Sequence, residues 1–132
     1  MMRLPYENPF QRRVEEARTR VREVSTEEAK EALNHDEAAI LVDVREPQEW
    51  ARGHVPGVLH VPLGMLQARA DPASPGADPA LTSGQETLVI AYCARGERSL
   101  LAADTLQKLG YRNVVSMRGG FMDWARRGYP VE

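Results

Sequence analysis

Hydrophobic and polar positions change period several times along the 132 residues. Near the start, Phe10, Val14, Ala17 and Val21 recur at helical spacing with charges between them. That spacing predicts an amphipathic helix from Pro9 to Arg20. From Val21 onward, short strands alternate with helices. "VREV" (21–24) alternates as a strand, and "STEEAKEALN" opens a helix with Ser25 as N-cap and Glu28 closing a capping box. "AILVDV" (39–44) is almost continuously apolar, as a strand covered on both faces must be. "EPQEWARG" predicts a short helix with Pro47 in its first turn and Gly53 at its end. "VLHVPL" (58–63) predicts another strand, and "PLGMLQARA" a helix entered at a proline.

The stretch "DPASPGADPALTSGQE" (71–86) carries Pro72, Pro75 and Pro79 and reads as a surface loop or short linker. "TLVIAY" (87–92) is the most apolar run and the predicted central strand. "SLLAADTLQKLG" predicts a helix with Leu101, Thr105, Leu106 and Leu109 on one face and Gly110 as its stop. "NVVSM" predicts a last strand, and "GGFMDWARRG" a last helix closing on Gly128. Strand–helix alternation of this kind implies an α/β fold, with a mostly parallel central sheet of about five strands and helices on both faces. Residues 1–20 read as an N-terminal extension and residues 21–132 as the α/β domain. Ligands in such folds sit beyond the carboxyl ends of the strands, which is where Asp43 and Cys93 fall.

Composition narrows the function classes. A net charge of −2 gives no basic field for nucleic acid. The chain has no run of ~18 apolar residues to span a bilayer, and its first twenty residues lack an apolar targeting core, so a soluble cytoplasmic protein is expected. The single cysteine excludes an intramolecular disulfide framework and a cysteine-rich metal site. His35, His54 and His60 have no metal-type spacing, so neither metal nor cofactor is expected. The outer face of the N-terminal helix leaves monomer and homodimer both open.

The candidate chemistry lies in "IAYCARGERSL" (90–100). Cys93 ends the most apolar strand, and Ser99 is expected to cap the following helix, so residues 93–98 form a strand-to-helix loop. Unpaired N–H groups at a helix N-terminus stabilise an anion, a thiolate included. Gly96 permits the positive φ that lets successive amides turn inward as an anion nest, and Arg95 and Arg98 add charge. The loop is therefore a bowl with a nucleophilic sulfur at its base. Phosphatases of the Cys-x5-Arg type encircle a phosphate with one more residue than the Cys-x4-Arg seen here. A smaller ring suits one extra sulfur atom better than a tetrahedral oxyanion, which sets a phosphatase or arsenate reductase behind sulfur transfer.

Three segments carry a family likeness. "LVDVREPQEWARGHVPGVLHVPL" is similar to an Asp-x-Arg … Gly-His-Ile-Pro-Gly-Ala … Ile-Pro segment. "VIAYCARGERS" resembles an active loop of the form Cys-x-x-Gly-x-(Arg/Thr)-Ser. "GYRNVVSMRGGFMDWARRGYPV" is like a closing segment with paired glycines, a tryptophan and Gly-x-Pro-Val. Over residues 21–132 the chain thus resembles the rhodanese-like sulfurtransferases. The resemblance implies their three-layer fold and a ping-pong sulfurtransferase. Cys93 would take a sulfane sulfur from a donor such as thiosulfate as a persulfide, then pass it to a thiophilic acceptor such as cyanide or a thiol. It implies binding by the loop residues Ala94, Arg95, Gly96, Glu97, Arg98 and Ser99, with Arg98 holding the anionic donor. Thiosulfate-preferring members often carry basic residues at both variable loop positions, and Ala94 fills the first here.

Asp43 and Arg45 match the family's Asp-x-Arg. They are expected either to support the catalytic loop or to act structurally, Asp43 capping backbone amides and Arg45 pairing with Glu49. Glu49 itself departs from an arginine found hereabouts in some two-domain members, and a carboxylate there repels thiosulfate. Gly119–Gly120 is expected to approach the loop closely, with Phe121 and Trp124 as core or pocket wall. The alternative function is a sulfur-relay or protein-interaction module whose partner is a protein sulfur acceptor.

Overall fold

The structure, a computed structural model, describes residues 8–132, and the first seven residues of the predicted extension lie outside that range. Five strands form one sheet: β1 (Arg22–Val24), β2 (Ile40–Asp43), β3 (Leu59–His60), β4 (Leu88–Tyr92) and β5 (Asn113–Met117). Their order is β1-β5-β4-β2-β3 and every pairing is parallel, so β4 is central as its apolarity predicts. Among the described residues, seven α-helices surround the sheet: α1 (Pro9–Arg18), α2 (Thr26–His35), α3 (Pro47–Ala51), α4 (Leu66–Ala70), α5 (Pro79–Thr82), α6 (Arg98–Lys108) and α7 (Gly120–Arg126). No helix among the described residues is long and apolar enough to cross a membrane.

The period of two along each strand separates the two cores. Val42, Val44, Val89, Ala91, Cys93 and Val114 face one side, where α1, α4, α5 and α6 bury Val14, Ala17, Leu66, Leu81, Leu100 and Leu106. Leu41, Ile90, Tyr92, Val115 and Met117 face the other, with Ala29 of α2 and Trp124 of α7. The capping box on α2 forms as expected: Glu28 N–H donates to Ser25 Oγ at 3.0 Å and Ser25 N–H to Glu28 Oε1 at 2.8 Å.

Several boundaries differ from expectation. Helix α1 stops at Arg18, because Thr19 and Arg20 turn to bring Val21 under the sheet edge. Strand β3 is only Leu59–His60, although backbone bonds to the β2 segment run on beyond it, Val61 N–H donating to Asp43 O at 3.0 Å and Leu63 N–H to Val44 O at 3.0 Å, before the chain coils into a single turn over Leu63–Met65. The stretch 71–86 is not all loop. Asp78 caps the one-turn α5 at Pro79, and Leu81 inside it is fully buried. Tyr111 fastens this segment by donating its hydroxyl to Ala70 O at 2.8 Å. Helix α6 buries Ser99, Leu100, Ala102, Ala103, Asp104 and Leu106, while Leu101, Thr105 and Leu109 of the predicted face are only partly covered. Lying between the sheet and α1, it is covered from two sides, so its buried surface is wider than a single stripe.

Helix α1 belongs to that side's core. Val14 and Ala17 are buried against it, and the Arg20 guanidinium grips Asp104 of α6 through two 2.9 Å hydrogen bonds. Val14→Ala removes two methyl groups, worth about 1.6 kcal/mol of transfer energy plus a cavity, partly offset by about 0.5 kcal/mol of helix propensity. The variant is expected to lose about 1–2 kcal/mol, read as a lower urea midpoint at constant slope. An unchanged midpoint would mean that α1 is not docked in solution.

Candidate active site

Strand β4 delivers Cys93 to the sheet's carboxyl edge, and the chain then turns through four residues, Ala94 to Glu97, into α6. Gly96 lies at φ 108°, the positive value that the turn requires. This brings Gly96 N–H to within 3.1 Å of Cys93 Sγ and Ser99 N–H to within 3.4 Å. The Cys93 thiol in turn donates to Ser99 Oγ at 3.5 Å. Two amides thus converge on a buried sulfur, as an anion nest does.

The loop's carbonyls are held from outside. Phe121 N–H donates to Cys93 O at 2.8 Å and Met122 N–H to Ala94 O at 3.1 Å, both from the first turn of α7. Gly120 makes this approach feasible, because a Cβ there would lie 2.4 Å from Cys93 O and 2.5 Å from Ala94 O. The paired glycines therefore stand close to the loop, as expected.

Other residues fall differently. Ser99 is not the N-cap of α6: Glu97 occupies that position, and Ser99 lies inside the first turn, fully buried. Its hydroxyl meets that of Ser116 at 2.8 Å, beneath Cys93. Ala94 is half-buried, and Arg95 is exposed with its Nε against Met122 Sδ at 3.3 Å. Glu97 accepts from Gln11 Nε2 at 3.3 Å, which joins the loop to α1. Arg98 reaches Glu49 of α3 through two hydrogen bonds of 2.7 and 3.0 Å.

The expected Arg45–Glu49 pair is therefore corrected, since Arg98 takes the carboxylate. Arg45 instead lies along buried Asp43, with guanidinium contacts of 2.8 and 3.1 Å, and donates to Gly53 O at 2.7 Å. Nor does Asp43 accept from the 93–98 loop: its oxygens take the Arg45 guanidinium and the Arg45 N–H at 2.9 Å. Arg45 stacks over Phe121 at 4.3 Å, so the pair sits under the site as a clamp between β2, the 53 turn and α7. His54 stacks on Trp50 at 3.8 Å, with its Nδ1 3.0 Å from Trp50 O. Trp124 is buried in the core and donates Nε1–H to Pro130 O at 2.7 Å.

A recess of about 190 Å³ opens above the sulfur, lined by Cys93, Ala94, Arg95, Glu97, Arg98 and Phe10. Two of the residues met here carry no sequence signal for the site. Phe10 reads only as part of the α1 core stripe. Ser116 shows only as a lone polar residue in an apolar strand.

The Arg98–Glu49 pair has a measurable consequence. Hydrogen bonds from Arg98, reinforced by the Glu46 N–H, hold the Glu49 carboxyl down at about 2 from an ordinary 4.5. A folded-state value below the unfolded one stabilises the fold above the unfolded value, and that contribution fades as pH falls from 4.5 toward 2. In a carboxyl ¹³C titration Glu49 is expected to be still ionised at pH 3, and Arg98→Gln to raise its midpoint toward the ordinary range. The stability gap between wild type and Arg98→Gln should narrow across the same window. A wild-type midpoint near 4.5 would contradict the ion pair.

Comparison with known proteins agrees with this geometry. The Rhodanese-like domain family profile matches residues 25–127. A sulfurtransferase of Allochromatium vinosum is 33% identical over 111 residues, covering 84% of this chain and 94% of that protein. A candidate sulfur carrier protein of Bacillus subtilis is 36% identical over 102 residues, 77% of this chain, which spans only 50% of that relative's length. Among solved structures, human single-domain sulfurtransferase TSTD1 superposes with a TM-score of 0.67 at 31% identity, covering 79% of this chain and 95% of that one. A Rhodopseudomonas palustris protein described as of unknown function and a possible tyrosine phosphatase superposes over 100% of both chains, with a TM-score of 0.86 at 33% identity. A profile match spanning most of the chain, with relatives at this level of identity, establishes that the protein belongs to the rhodanese-like family of sulfurtransferases and sulfur carriers.

Proposed function

We propose that the protein is a sulfurtransferase in which Cys93 carries one sulfur atom as a persulfide between a sulfane donor and a thiophilic acceptor. The observation that carries this reading is the pair of loop amides, 3.1 and 3.4 Å from a buried sulfur at the base of an open recess. The Cys93 thiolate attacks the outer sulfur of a donor such as thiosulfate. A new S–S bond forms, the donor's own bond to that sulfur breaks, and sulfite leaves with the electron pair. A cyanide or thiolate acceptor then attacks the terminal sulfur, and the Cys93 thiolate is released. Covalent catalysis splits one transfer into two, and preorganised amides stabilise the charged sulfur in both.

In this reading residues 21–132 are the transferase domain and residues 1–20 an extension that adds α1 to it. Gly96 and Ser99 supply the amides, Ala94 and Glu97 shape the rim, and Arg95 meets the anionic donor as it arrives. Arg98 is already paired with Glu49, so it fixes the loop against α3 more than it draws in a dianion. Asp43 and Arg45 position the floor. The tyrosine phosphatase reading attached to the Rhodopseudomonas relative has less support in this chain. Its loop is one residue shorter than the Cys-x5-Arg ring, and the arginine a phosphate would need is bound to a carboxylate.

Steady-state kinetics test the proposal. With thiosulfate or a thiosulfonate as donor and cyanide as acceptor, thiocyanate formation should give parallel double-reciprocal lines, and Cys93→Ser should lower kcat by about 10³ or more. Intersecting lines, or a Cys93→Ser variant that keeps its rate, would overturn the covalent mechanism. Phosphate release from an aryl phosphate at a comparable rate, without thiocyanate formation, would favour the phosphatase.

A further inference from the structure

One wall of the recess is supplied by Phe10, from the first turn of α1 and outside the span that matches the family. Its placement is over-determined. Asn8 caps the helix by accepting from Gln11 N–H at 2.8 Å, Gln11 Nε2 donates to Glu97 of the loop at 3.3 Å, and Val14 and Ala17 anchor the next turns in the core. Phe10 is only partly buried against the cluster that contains Cys93, so part of its ring remains open to the recess.

The charges around the mouth cancel. Arg95 and Arg98 are offset by Glu97 on the rim and by Glu49, which holds Arg98 bidentately. An entering anion is stabilised by the amides at the floor and not by a surplus of cations. A dianion therefore loses more hydration than this mouth returns, whereas a monoanion with an apolar substituent loses less and gains contact with the ring.

Resting on the sulfurtransferase reading, we infer that Phe10 is a specificity-determining residue, which makes the site select sulfane donors bearing an apolar group over inorganic thiosulfate. The class is an organic monoanion, such as a thiosulfonate R–SO2–S⁻. Cys93 takes the terminal sulfur, the S–S bond between sulfonyl and sulfur breaks, and the sulfinate R–SO2⁻ leaves with the electron pair. Met122, 52% exposed and in contact with Arg95 through its sulfur, lines a neighbouring cavity and not this recess, so Phe10 is the apolar ring that the donor meets.

The test compares benzenethiosulfonate, methanethiosulfonate and thiosulfate as donors, with cyanide as common acceptor, in wild type, Phe10→Ala and Phe10→Leu. The readout is the ratio of kcat/KM for benzenethiosulfonate to that for methanethiosulfonate, in which intrinsic donor reactivity cancels between variants. Phe10→Ala is expected to lower that ratio about fivefold, mainly through the KM of the aryl donor, and Phe10→Leu to preserve most of it. Urea midpoints identify any variant that has lost α1 docking, and Phe10→Leu, which keeps an apolar contact for the core, then carries the comparison against thiosulfate. Turnover with an unchanged ratio in a folded Phe10→Ala, or a wild type that prefers thiosulfate to both thiosulfonates, overturns this inference alone. A folded protein that turns over none of the three donors overturns the sulfurtransferase reading and this inference with it.

Discussion

The loop around Cys93 depends on a division of its backbone groups. Carbonyls and amides of one short turn cannot all face the same way, and here α7 takes the carbonyls. Phe121 and Met122 donate to Cys93 O and Ala94 O from a helix that starts on Gly119 and Gly120, both at positive φ. With those carbonyls fixed outward, the amides of Gly96 and Ser99 are left to face the sulfur. The absence of a Cβ at Gly120 is the condition for this, since no side chain fits within 2.4 Å of a carbonyl oxygen. The inward orientation of the loop's amides is thus imposed by a helix some 25 residues further along the chain.

Below and beside the loop, two ion pairs do different work. Asp43 and Arg45 are almost wholly buried and satisfy one another, with Gly53 O and the Phe121 ring completing the guanidinium's surroundings. Removing either partner would leave a buried charge unmatched, the costly case, so this pair acts as a structural clamp. Arg98 and Glu49 are half-exposed and couple the helix that follows the loop to α3. Their mutual neutralisation makes the mouth nearly charge-balanced, which distinguishes an amide-lined bowl from a cationic trap for dianions.

Much of this was legible in the sequence wherever the controlling physics is local. Short apolar runs located β2, β4 and β5, the Ser25–Glu28 capping box located α2, and the Cys-x-x-Gly turn into a helix located the loop that wraps around Cys93 Sγ. Long-range side-chain pairing was not legible. Nothing near Glu49 says that its partner is Arg98 rather than Arg45, and nothing near Phe10 says that α1 runs past the loop and not along another face. The buried face of α6 is wider than the predicted stripe because Ser99, Ala102, Ala103 and Asp104, small or polar as they are, are covered from two sides. Asp104 is tolerated there because Arg20 and Lys108 satisfy it, and their hydrogen bonds hold its carboxyl below the usual carboxylate range. In the proline-rich stretch 71–86, one buried leucine decides the path, and composition cannot show which residue becomes an anchor.

The central claim is that Cys93 holds sulfur covalently between donor and acceptor, and intact-mass spectrometry tests it most directly. Protein exposed to a sulfane donor without acceptor, then desalted, should gain one sulfur atom, about 32 Da, located on the Cys93 peptide and removed by cyanide. A folded protein with a free thiol whose mass stays unchanged with thiosulfate and with an organic thiosulfonate would contradict the account.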